Sequence, residues 1–168
     1  MTRAFIITGY LALAATLGIV ALRPAQPTTP VHLLARQAAG VEGTPVVAIL
    51  LHPRDCADRV EALRAWNRIH RSGRARVVGL VAEGTGVSGE LERIGRGAGL
   101  EFPLRYVEPR DFRQVLSSLN HRSTPLALLL DGGGQLRMAI PLEAGAPRAA
   151  VDLAAHHLST LEIRPDDR

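Results

Sequence analysis

The 168-residue chain predicts an α/β domain built on a mixed central sheet with helices on both faces, a three-layer sandwich preceded by one N-terminal transmembrane helix. Three observations lead there. Short apolar runs rich in β-branched residues, such as "TPVVAILL" (44–51) and "ARVVGLVA" (75–82), alternate with stretches of helical periodicity. Late in the chain two apolar runs flank "DGGG" (131–134), a hairpin signal that makes the sheet mixed. Near the start, residues 4–22 pass without a charge between Arg3 and Arg23.

Each element follows from its residues. The run 44–51 fits a strand buried on both faces. From Asp55 to Arg71, Val60, Leu63 and Trp66, or Ala62, Ala65 and Ile69, recur at helical spacing, and Gly73 stops the helix. Asp55 is of the type that caps a helix N-terminus. Residues 75–82 form a second buried strand. "SGELERIGRGAGL" (88–100) starts on Ser88, a suitable cap, and is a helix weakened by glycine. "FPLRYV" (102–107) is a short strand, and "PRDFRQVLSSLN" (109–120) a helix with proline in its first turn. "TPLALLL" (124–130) and "QLRMAIPL" (135–142) are the two arms of the hairpin. "APRAAVDLAAHHLSTL" (146–161) closes the domain as a helix.

The stretch "AFIITGYLALAATLGIVAL" (4–22), rising ~1.5 Å per residue, covers ~28 Å as a helix, enough for a hydrocarbon core of ~30 Å. It exceeds the ~7–15 residues of a signal-peptide core, and no small-x-small site lies beside Leu22 and Arg23, so an uncleaved anchor is expected. The flanking charges are Arg3 on one side and Arg23 with Arg36 on the other. The two-residue head beside the amino group is expected to stay inside. The organisation is then an anchor at 1–23, a proline-rich linker with a short helix at 24–40, the globular domain at 41–163 and a tail at 164–168. The expected place is the bacterial cytoplasmic membrane, single-pass, with the domain facing the periplasm or outside.

The net charge of +4 and isoelectric point near 10.5 do not make a nucleic-acid binder. All twenty basic residues are arginine, scattered among sixteen acids, and no basic run is interleaved with aromatics, which make up 4%. No metal site and no cofactor are expected. His156 and His157 are adjacent on a helix, point ~100° apart, and read as one solvated and one half-buried histidine. No Cys/His spacing fits zinc. "DGGGQ" (131–135) lacks the helix and Gly-Lys-Ser/Thr ending of a phosphate loop. "GTGVSGE" (84–90) has the strand-to-helix context for an anion but misses the dinucleotide spacing.

One candidate for chemistry remains. Cys56 is the only cysteine, placed where an apolar strand runs into a helical pattern, a position at which thiols become reactive. A single thiol in an oxidising compartment cannot mispair within its own chain.

Two segments carry a resemblance. "VVAILLHPRDC" is an apolar strand running into a cysteine at a helix start. "FPLRYVEPRDFRQVLSSLNHRSTPLALLLDGGGQL" has Phe-Pro, a short helix, Thr-Pro before an apolar strand, and an Asp-Gly turn. In this order the chain resembles the thioredoxin-like superfamily, in its membrane-tethered, peroxiredoxin-related branch with an extra strand and helix in the middle. The resemblance spans roughly Thr44 to Leu161. It implies that Pro125 is cis and faces the redox cysteine, and that Thr124 and Pro125 form a backbone edge gripping a substrate's extended chain. It makes Cys56 the attacking thiol, favoured as thiolate by backbone N–H groups and the helix dipole.

The departure is "CADR", in which Arg59 stands where the family's Cys-x-x-Cys motif has its second, resolving cysteine. An internal dithiol–disulfide cycle is therefore excluded for a lone chain. Arg59, about one turn on, is a candidate electrostatic neighbour of the thiolate, as are Arg54 and His52, whereas Asp55 and Asp58 oppose it. Peroxidase chemistry in this branch needs Thr or Ser three residues before the cysteine, and Pro53 stands there. Two functions stay open: monothiol disulfide exchange or envelope redox assembly through Cys56, with protein thiols or a membrane-associated protein as partner; or a non-catalytic docking module that has lost redox activity.

Overall fold

The computed structural model describes residues 43–55, 59–82, 88–142 and 147–161. The expected span at 4–22 and the linker at 24–40 lie outside them; among the described residues no helix is long and apolar enough to cross a membrane.

The elements run β1 (Val46–Leu51), α1 (Val60–Arg64), α2 (Asn67–Ser72), β2 (Arg76–Ala82), α3 (Ser88–Gly97), β3 (Leu104–Val107), α4 (Pro109–Ser118), β4 (Leu126–Leu130), β5 (Leu136–Pro141) and α5 (Pro147–Leu161). The five strands line up as β3-β2-β1-β4-β5. β1 pairs parallel with β2, and β2 with β3, while β4 runs antiparallel to β1 and β5 antiparallel to β4. β1, at the centre of the sheet, and its neighbour β4 are buried at every position, as their unbroken apolar runs require. At the edges, β3 and β5 mix buried, half-buried and exposed positions.

Because side chains on a strand alternate faces, β1 feeds two cores. Val47, Ile49 and Leu51 pack with Leu63, Trp66 and Ile69 of the α1–α2 segment, Leu91 of α3, and Val151, Ala154 and Leu158 of α5. Val46, Ala48 and Leu50 pack on the other face with Phe112 and Val115 of α4. Helices therefore cover both faces, as the alternation predicts.

The helix expected across 55–71 is interrupted. Ala65 and Trp66 keep right-handed helical dihedrals, but Trp66 N–H bonds to the Leu63 carbonyl and Arg68 N–H to the Ala65 carbonyl, i→i−3 steps in place of i→i−4. The tightened turn falls on the largest fully buried side chain, Trp66, whose indole Nε1 is buried without a partner. Gly73 does end the helical segment, with φ of 70° that a Cβ would strain. Pro109 opens α4 as expected, with Glu108 as the flanking residue. Asn67, buried, was not distinguished by the helical pattern. Its Nδ2 donates to the Gly99 carbonyl (2.9 Å) and its Oδ1 accepts from Glu101 N–H (3.0 Å), tying the α3–β3 loop to α2.

Candidate functional site

Parallel and antiparallel pairing bring the C-terminal end of β1, the start of β4 and the end of β5 to one end of the sheet: Leu50 lies beside Leu126, and Leu126 beside Pro141. At this end the Thr124–Pro125 peptide bond is cis, the isomer that the resemblance implies. Pro125 is buried and Thr124 half-buried.

The chain leaves β1 through a compact turn. Asp55 N–H bonds to the His52 carbonyl (2.9 Å), and Asp55 Oδ2 accepts from His52 N–H (2.7 Å). An acid accepting from the N–H three residues back is the arrangement of the second half of a capping box. α1 itself is flanked by Arg59, at φ −125° and ψ 24°, so Asp55 is not the cap of that helix expected from its residue type. Arg59 N–H bonds to the Asp55 carbonyl (2.9 Å), and Leu63 N–H to the Arg59 carbonyl (3.0 Å). Cys56, with residues 57 and 58, lies outside the described residues.

Arg59 is half-buried, and its Nη1 donates to the Leu142 carbonyl at 3.2 Å, across 83 positions of sequence. The same Leu142 donates its N–H to the Pro125 carbonyl at 3.0 Å. Two hydrogen bonds thus connect the residue three places after Cys56 to the proline at the start of β4. The guanidinium holds further N–H donors beyond the one used here. Of the remaining candidates, His52 and Arg54 are exposed on the turn. Leu142 carries no signal in the sequence, because it acts through its backbone N–H and C=O, which every residue type except proline possesses.

The other constellations have structural roles. Asp131 organises the β4–β5 turn: Oδ1 accepts from Gly133 N–H (3.0 Å) and Gln135 N–H (2.8 Å), and Oδ2 from Arg137 Nε (2.7 Å). His156 is exposed and His157 half-buried, with their rings edge to face at 5.9 Å. Among the described residues, no three His, Cys, Asp or Glu side chains come together to hold a metal ion. Residues 84–87, the greater part of the glycine-rich loop at 84–90, lie outside them.

No family model and no curated protein sequence matches the chain. Solved structures do. A protein assigned as the thiol:disulfide interchange protein DsbE of Chlorobium tepidum superposes with a TM-score of 0.55 at 14% identity, covering 74% of this chain and 84% of that one. The fold is thioredoxin-like. A thioredoxin-like protein of Porphyromonas gingivalis gives a TM-score of 0.53 at 14% identity, over 70% of this chain and 77% of its own. In this chain β3 lies beside β2 at one sheet edge, and α3 precedes it in sequence.

Proposed function

We propose that this chain is a membrane-anchored thioredoxin-like protein that exchanges disulfides as a monothiol through Cys56, outside the bacterial cytoplasmic membrane. The observation that carries the reading is the link Arg59–Leu142–Pro125, which ties the register of the "CADR" motif to the cis-proline corner. The neighbour named as a thiol:disulfide interchange protein supports the same reading.

In the step proposed, the Cys56 thiolate attacks one sulfur of a partner's disulfide. That S–S bond breaks, a mixed disulfide forms, and the partner's other sulfur leaves as thiolate. Since Arg59 replaces the resolving cysteine, the mixed disulfide is released by a second thiol, from the partner itself or from a low-mass thiol. Arg59 contributes positive charge beside the thiolate. Thr124 and Pro125 contribute the backbone edge against which a substrate's extended chain lies.

The test is capture of mixed disulfides from intact membranes, with and without Cys56→Ser. Partners seen only with the wild type are expected; identical patterns end the redox reading. A second measurement is iodoacetamide alkylation against pH. A thiolate favoured by its surroundings is alkylated fast below about pH 7, well under the ~8.5 of a free thiol. Arg59→Cys restores Cys-x-x-Cys and is expected to form an internal disulfide and gain insulin-reducing activity.

One observation favours the docking module instead. Arg59 braces the corner through a backbone carbonyl, a role that needs no thiol. In that case Arg59→Cys gains no activity and Cys56 is alkylated only at pH 8 to 9, or only after unfolding.

A further inference from the structure

The α1–α2 segment carries arginines at positions 64, 68 and 71, spacings that hold one side of a helical surface. Opposite them stands Arg148, in the first turn of α5. Together with Ala65 and Val151, these four arginines line a groove of about 210 Å³. The groove shares no residue with the Arg59–Pro125 corner.

Three acids meet three of the arginines: Glu61 pairs with Arg64 (3.1 Å), Asp152 with Arg68, and Glu101 with Arg71 (3.3 Å). These pairs are exposed, so each holds its arginine weakly. The Arg64 Nε also donates to the Ala98 carbonyl (2.7 Å), which fixes that guanidinium at the groove wall. Arg148 has no hydrogen bond or ion pair among the described residues, and the first turn of α5 contains no acid. A cation at the positive end of a helix macrodipole is unfavourable unless an anion joins it. Four guanidiniums against three acids leave one positive charge and many unused N–H donors, arranged around a concavity with an apolar floor.

We propose that this groove binds a phosphate group, held by Arg68 and Arg148 from opposite walls with Arg64 and Arg71 beside them. Guanidinium forks match phosphate oxygens in geometry and charge. The space is below the ~300 Å³ at which drug-sized ligand sites begin. It suits a phosphate with a few further atoms, borne by a small phosphorylated molecule or by an anionic lipid headgroup.

The test is hydrogen exchange on the full chain, read at 64–72 and 147–152. One arm adds inorganic phosphate against chloride at equal ionic strength. The other compares phosphatidylcholine vesicles with and without phosphatidylglycerol. Saturable protection is expected in at least one arm. Protection by phosphate points to a free ligand, and protection only with phosphatidylglycerol to a headgroup. Arg148→Gln, which removes no contact within the described residues, is expected to weaken binding about fivefold, and the double variant with Arg68→Gln to abolish it. Asp152→Asn frees Arg68 from its competitor and is expected to tighten binding a few-fold. Protection that chloride reproduces, that survives in the double variant, or that is missing in both arms overturns the proposal.

Discussion

The two ends of the sheet are built by opposite means. At one end the β4–β5 turn closes on itself: Asp131 accepts three hydrogen bonds from residues two to six places ahead, and Gly134 supplies a φ of 76°. One hydrogen bond also ties it to a distant segment, from Gly43 N–H to the Gly132 carbonyl (3.1 Å). At the other end, the turn at His52–Asp55 closes locally, but the corner it belongs to is held by Arg59, Leu142 and Pro125, drawn from distant parts of the chain. A local turn stabilises the hairpin whatever surrounds it. A corner assembled from three segments exists only when the sheet has formed.

The largest effect is expected at the local end. Asp131→Ala removes three side-chain hydrogen bonds, one from a charged donor, and is expected to cost about 2–3 kcal/mol in urea unfolding. Gly132→Ala places a Cβ 2.5 Å from the Gly43 carbonyl oxygen, a clash with backbone that is expected to cost about 1–3 kcal/mol. Neither is expected to change how fast Cys56 is alkylated in the folded protein. If either does, the two ends are coupled and the contrast fails.

At the distant corner the order of effects inverts. Arg59→Ala is expected to cost only about 1 kcal/mol in unfolding, the worth of one side-chain hydrogen bond, while slowing alkylation of Cys56 near neutral pH several-fold. An unchanged alkylation rate would leave Arg59 as a brace and remove it from the chemistry. Asp55→Ala, which loses the bond to His52 N–H, is expected to have the smallest effect, about 0.5–1 kcal/mol. Its alkylation profile sharpens the contrast: removing a carboxylate near the thiol is expected to speed alkylation, opposite to Arg59→Ala.

Much of this architecture was legible from periodicity. The apolar runs at 44–51, 75–82 and 124–130 became β1, β2 and β4, and the "DGGG" hairpin formed with one of its glycines, Gly134, at positive φ. The joint at Ala65–Trp66 was not legible, because Val60, Leu63 and Trp66 sustain one helical stripe through it. Asp55 departs from the expectation for a related reason: a cap is recognised by residue type, while the direction in which the carboxylate turns depends on where β1 ends. The brace from Arg59 to Leu142 left no trace either, since a backbone carbonyl is the same in every residue.

Composition and order along the chain were enough to establish which segments are buried, which are strands and helices, and that one thiol stands alone with Arg59 three positions after it. These follow from local propensity and from the free energy of removing apolar groups from water, both of which act within a few residues. The tertiary structure alone decided that Arg59 would reach Leu142, that Leu142 would hold Pro125, and that Arg148 would face Arg64, Arg68 and Arg71. Those contacts join residues 17 to 84 positions apart, and no local rule selects them: they arise from the sheet order and from how α5 packs on α1.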